Sequence, residues 1–158
     1  MPVIRAAGLP KDLETVRELF RDYAASLGIS LDFQDFDAEL AGLPGDYAPP
    51  SGRLLLAWRD GLAVGCVALR RFDDDICEMK RLYLRPEARG TGIGRDLAVR
   101  ICREAGEAGY TRMRLDTLPA MASAQRLYGE LGFREIAPYR FNPIPGTVYL
   151  ELDLSRAR

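Results

Sequence analysis

Three glycines, Gly90, Gly92 and Gly94, fall between a strand-like run ending at Leu84 and an apolar-periodic stretch that follows them, with Arg89 and Arg95 on either side. A strand feeding a helix through such a turn leaves several backbone N–H groups free and aimed at one spot. Glycine tolerates positive φ and lets the backbone approach a ligand closely. The helix start adds unpaired donors and the positive end of the macrodipole. Phosphate or pyrophosphate suits such a turn, so the chain is expected to handle a phosphate-bearing small molecule.

The acid–base inventory is narrow because the 158 residues include no histidine. Ser-His, Cys-His and histidine-rich metal sites are all removed. Proton transfer must use Glu, Asp, Tyr, Cys, Lys or water, and no metal is expected. Cys66, Cys77 and Cys102 show no C-x-x-C spacing, and each falls inside an expected strand or helix. They read as buried, reduced thiols. A net charge of −1 argues against nucleic acid or an anionic membrane as partner. No apolar run approaches the roughly 18 residues of a membrane span, and MPVIRAAGLPKDLE lacks the apolar stretch of a signal peptide. A cytoplasmic protein with one domain over residues 1–158 is the expectation. Of 22 basic residues only Lys11 and Lys80 are lysine, a bias read as compositional.

The elements that must position the turn follow from periodicity. Val3–Ala6 reads as a strand, and Asp12–Leu27 as a helix with Leu13, Val16, Leu19, Phe20 and Tyr23 on one face and Gly28 ending it. LDFQDFDAELAGL holds a short helix, and GDYAPPSG is a loop. Arg53–Trp58 and Leu62–Arg70 flank the hairpin signal Arg59-Asp60-Gly61, and Ile76–Leu84 follows as a third antiparallel strand. A helix over Gly94–Ala108, a strand over Thr111–Thr117, a helix over Met121–Leu131 and strands from Phe133–Ile136 and Thr147–Leu154 complete the chain. The fold class is α+β, a layered structure on a mixed sheet.

Three phosphate-loop patterns compete for residues 89–95. A Walker loop needs Gly-Lys followed by Ser or Thr, and Arg95 and Asp96 follow Gly94 instead. The dinucleotide fingerprint fails because Arg95 or Leu97 takes its third glycine position, although Asp116 lies where a ribose-binding acid is expected. The third pattern is Arg or Gln, two residues, Gly, one residue, then Gly or Ala, and Arg89-Gly90-Thr91-Gly92-Ile93-Gly94 fits it. With EMKRLYL before the turn and RLYGELGF at 126–133, the chain resembles the GNAT superfamily of N-acetyltransferases over nearly its whole length.

That resemblance implies a twisted mixed sheet of about seven strands, splayed between the fourth and fifth, with about four helices. It implies acetyl transfer from acetyl-CoA to a primary amine, small-molecule or protein, by direct attack, and a homodimer as one assembly common in the family. The pantetheine arm would run along Leu82, Tyr83 and Leu84, and the pyrophosphate would sit on Arg89, Gly90, Thr91, Gly92, Ile93, Gly94 and Arg95. Tyr128 occupies the family's tyrosine position, where a phenol protonates the departing thiolate; packing is its other reading. Met121 stands where the family often has Asn, and either Ser123 or a backbone group is the replacement contact. Glu78 is the family-type base, or a strand carboxylate paired with Arg81 or Arg114.

The acceptor surface is expected between the first two helices and the loop before the last strand. Tyr23, Phe33 and Phe36 stand on one side, Tyr139, Arg140, Phe141 and Asn142 on the other. Asp32, Asp35, Asp37 and Glu39 would attract a cationic amine or form a solvated acidic surface. An acyl-CoA-binding sensor without turnover is the alternative function, and a nicotinamide enzyme a third.

Overall fold

A computed structural model of the chain describes residues 2–28, 30–31 and 35–155. Seven strands form one sheet in the order β1-β2-β3-β4-β5-β7-β6. They are β1 Val3–Ala6, β2 Arg53–Arg59, β3 Leu62–Arg71, β4 Ile76–Leu84, β5 Arg112–Thr117, β6 Arg134–Ile136 and β7 Val148–Asp153. Four α-helices accompany them among the described residues: α1 Leu13–Leu27, α2 Phe36–Ala41, α3 Ile93–Glu107 and α4 Ala122–Leu131. Every pairing is antiparallel except β4 with β5, which α3 connects as a parallel crossover. The expected α+β class, strand count and helix count are therefore observed.

Alternation along β2 shows how the layers form. Leu54 and Leu56 join Val16, Leu19 and Phe20 of α1 in one apolar cluster, with Phe36 of α2. Leu55 and Ala57 point the other way, into a second cluster with Leu97, Ala98 and Ile101 of α3 and Tyr128 of α4. Successive side chains on a strand face opposite sides, so a strand covered on both faces reads as continuous hydrophobic sequence. Val64–Leu69 of β3 is buried without a break for this reason. Gly28 adopts φ 66° and ends α1 as expected, and Gly132 at φ 102° ends α4.

Two differences from expectation matter near the site. Helix α3 starts at Ile93 rather than Gly94, because Gly92 takes the left-handed conformation at φ 87° and serves as N-cap. A short 3₁₀ turn, Pro86–Ala88, separates β4 from the glycines. Pro86 starts it with a preset φ and no N–H to leave unpaired.

The sheet opens in its middle. β4 and β5 pair only over Ile76–Glu78 with Arg112–Arg114. Beyond that point Leu115–Thr117 stays with β7, while Tyr83 and Leu84 stay with Cys66 and Gly65 of β3. β4 also carries a bulge: Cys66 pairs with Tyr83 but Ala68 with Lys80, so Arg81 and Leu82 face one residue, Val67. At its centre Arg81 has φ 64°, a conformation a non-glycine residue adopts at a cost.

The Arg81 side chain, 1% exposed, holds the bulge through a two-pronged ion pair with Glu39 of α2. Nε and NH2 each donate at 2.9 Å, and the guanidinium lies over the rings of Phe36 and Tyr23 at 5.1 and 5.6 Å. Cys66 Sγ contacts the Arg81 carbonyl at 3.2 Å. Removing one partner of a buried pair leaves an uncompensated charge, which costs about 3–5 kcal/mol. Glu39→Ala is expected to lower unfolding free energy by roughly that amount in urea titrations; a midpoint matching the parent's would show that the pair does not hold the bulge.

Candidate active site

The gap between β4 and β5 is lined by Met79, Lys80, Arg81 and Leu82 of β4, Leu115, Asp116 and Thr117 of β5, Tyr23 of α1, and Met121 and Tyr128. Its floor is narrow, with a cavity volume of about 30 Å³. Thr117 Oγ1 is buried there without a hydrogen-bond partner. Past Glu78, the edge of β4 that faces β5 makes no ladder pairs. An extended arm can lie along that edge as an added strand does.

The glycine turn sits at one end of the gap, one short turn beyond Leu84. Gly90 and Gly92 have φ of 75° and 87°. The N–H groups of Gly90, Thr91 and Gly92 donate to no described residue, whereas Arg89 N–H is used by the Pro86 carbonyl at 3.2 Å. The first-turn N–H groups of α3 add donors that lack intrahelical partners. A Cβ built on Gly92 meets nothing within 4 Å, and one built on Gly94 comes 3.2 Å from Leu84. Gly94 thus permits close packing of α3 on β4, while Gly92 leaves its side of the turn open. Thr91 donates its hydroxyl to the Ala88 carbonyl. Arg89 contacts the Leu84 carbonyl and lies over Tyr83, and the half-exposed Arg95 is 3.6 Å from Glu130.

Tyr128 is 5% exposed and lines the gap. Burial pushes its phenol above the ordinary range, with Tyr23, Cys102 and Asp116 adding to the shift. It therefore keeps its proton at neutral pH and can donate it. Ser123 is exposed in the first turn of α4 and does not line the gap, whereas Met121 does.

Glu78 lies deeper. It is fully buried, and its carboxylate accepts from Arg70 Nε at 3.1 Å, Arg140 NH2 at 2.8 Å and the Tyr139 hydroxyl at 2.8 Å. Its partners are thus Arg70 and Arg140, not the Arg81 or Arg114 suggested by proximity along the sheet; those two pair with Glu39 and Glu151. Glu78 is not among the residues lining the gap, where Lys80, two positions on, is.

Lys80 was not singled out by any motif, yet it lines the gap and is only 5% exposed. Burial lowers its pKa to about 8, against opposing pulls from Glu78 and Asp116. Of the acceptor-side residues, Tyr23 reaches the gap, Phe36 packs on Arg81, Asn142 Nδ2 donates to Asp116 at 3.3 Å, and Phe141 is 78% exposed. Glu39 is neither free acid nor solvated surface, since Arg81 occupies it. Phe33 and Asp32 lie outside the described residues. All three thiols are held up at about 12 by burial, so none is a nucleophile at neutral pH.

A splayed β4–β5 pair and an open glycine turn before α3 are the geometry the sequence resemblance implied. The sequence profile of the acetyltransferase (GNAT) family matches residues 13–133. The chain belongs to the GNAT family. An uncharacterised N-acetyltransferase of Schizosaccharomyces pombe is 44% identical over 97% of this GNAT chain and 95% of its own length. The IAA acetyltransferase of Azospirillum brasilense is 37% identical over 68% of this chain and 71% of its own. In fold, a GNAT-family acetyltransferase of Staphylococcus aureus superposes with a TM-score of 0.81 at 22% identity, covering 98% and 99% of the two chains. The Salmonella typhimurium acetyltransferase yncA, solved with its cofactor acetyl-CoA, superposes at 0.75 with 21% identity over 97% and 94%. The protein is an N-acetyltransferase enzyme. No helix among its described residues is long and apolar enough to cross a membrane.

Proposed function

We propose that acetyl-CoA binds with its pyrophosphate on the glycine turn and its pantetheine arm along the free edge of Leu82–Leu84, and that the acetyl group passes to a primary amine in the β4–β5 gap. The carrying observation is the open turn standing at the end of an unpaired strand edge. The Gly90–Arg95 backbone supplies donors; Arg89 and Arg95 add charge, that of Arg95 partly offset by Glu130. The exposed Ser123 is assigned to the arm's outer part.

The amine attacks the thioester carbonyl, an N–C bond forms and the C–S bond breaks. Leu82 lies in the bulge and lines the gap, and its N–H is assigned to the oxygen on which charge develops. Tyr128 gives its proton to the leaving thiolate. The ammonium form of the acceptor must first lose a proton. Glu78 has its oxygens occupied by Arg70, Arg140 and Tyr139, so we assign its part in proton removal to one remove, through Lys80. The neutral Lys80 amine accepts the proton, and Glu78 supplies the counter-charge nearby. The competing reading, a coenzyme-binding module without turnover, predicts the same ligand and no released thiol.

Three measurements test these assignments. Gly92→Val places a branched side chain on the open side of the turn and at a φ it resists, so calorimetry is expected to show severely weakened coenzyme A binding; parent-like binding rejects the pyrophosphate assignment. Tyr128→Phe is expected to lower kcat by about 10²–10⁴-fold with acetyl-CoA affinity nearly intact, and full turnover would make Tyr128 a packing residue. The pH profile reports Lys80. Below about 8 it carries its proton and cannot take another, so the rate should climb with pH and level off above that value. Lys80→Met should displace this acid limb for one and the same acceptor; an unmoved limb assigns it to the acceptor's own ionisation.

A further inference from the structure

Around Glu78 positive charge exceeds negative, although the chain as a whole is at −1. Arg70 and Arg140 share one carboxylate, Glu78. That carboxylate is sealed at 0% exposure, while the two arginine side chains are 24% and 26% exposed. What meets solvent at this cluster is therefore arginine side chain rather than carboxylate.

The arginines are held in place. Arg140 lies over Tyr139 at 5.4 Å and Phe72 at 6.0 Å. Arg114 shares the same two rings at 5.5 and 5.2 Å and is occupied by Glu151 at 2.8 Å. Arg140 also has a donor unspent: its Nε is buried with no hydrogen-bond partner. Buried donors left unpaired are uncommon and mark places where a partner is missing. Arg70 borders a second cleft that includes Asp35 and Asp46, which would repel an anion, so the open positive face is the Arg140 side.

Glu78 and Lys80 sit two positions apart on one face of β4, about 7 Å along the strand. A ligand with its amine in the gap beside Lys80 and an anionic group at that reach would meet Arg140. We propose that the acceptor is an amine that also carries a carboxylate, bound through Arg140 with Arg70 supporting. This rests on the acetyl-transfer reading and adds its substrate class. A polyamine or a cationic protein tail would place like charge against these arginines, whereas a carboxylate gains charge-assisted bonds to a preset guanidinium.

The test is an acceptor panel with acetyl-CoA and detection of released coenzyme A. Its arms are amino carboxylates of different amine-to-carboxylate spacing, the matching amides, aminophosphonates of the same spacings, and spermidine. The best amino carboxylate is expected to exceed its amide in kcat/KM by roughly tenfold or more. Arg140→Gln should erase most of that preference through KM, lowering the amide's kcat/KM much less. Arg140→Lys, which keeps the charge over Glu78, should retain part of it and guards against a folding defect. Equal use of amide and carboxylate, or spermidine as best acceptor, overturns the proposal while leaving acetyl transfer intact. Preference for the phosphonate overturns the carboxylate assignment. No turnover on any amine, with coenzyme A binding in calorimetry, overturns the transfer reading and this one with it.

Discussion

The bulge at Arg81 is the constraint on which the rest depends. A regular β4 would continue alongside β5, and the two strands would close the sheet. Instead the backbone turns through φ 64° at a residue that is not glycine, and the neighbouring strands separate beyond Glu78. The strain is held by what the side chain gains: two 2.9 Å bonds to Glu39 and the faces of Tyr23 and Phe36. Glycine at this position would relieve the backbone but forfeit all of those contacts. One residue thus docks α2, fixes a gap-lining tyrosine and holds the strand edge free.

Burial then sets two proton carriers in opposite senses. The gap takes Tyr128 and Lys80 away from water, and each resists its charged form. For the phenol that means staying protonated, ready to donate. For the lysine it means losing the proton more easily, with a pKa near 8. A chain without histidine thus obtains a base near neutrality from Lys80 and keeps Tyr128 in its proton-bearing form, although the ordinary pKa values of both residue types lie near 10. The same burial silences the three thiols, so the coenzyme's sulfur is the one thiol that the reaction makes available at neutral pH.

Much of the frame was legible in the sequence because its signals are local. Glycines at 28, 90, 92 and 132 report positive φ directly, and the unbroken apolar run at 54–57 reports a strand covered on both faces. The splay came with the family resemblance. Partnerships across the fold were not legible. Glu78 is paired from β3 and from the loop before β7, and Arg81 from α2; no periodicity encodes which of the 22 basic and 23 acidic residues will meet. Lys80 escaped notice because a lone lysine in a strand looks ordinary until the strand opens beside it.

Net charge near zero concealed a local imbalance. A carboxylate sealed from water cannot screen itself, and its full charge acts on the few cations around it. Glu78 can therefore anchor two arginines, yet its own field is spent inside that cluster. Each guanidinium has five N–H donors, and Glu78 with the ring faces takes only some of them. Of these donors Arg140 Nε is buried without a partner, while each arginine side chain as a whole is a quarter exposed. A fixed positive rim around a buried negative centre is thus a product of geometry, and it gives this face of the gap a sign that the overall composition lacks.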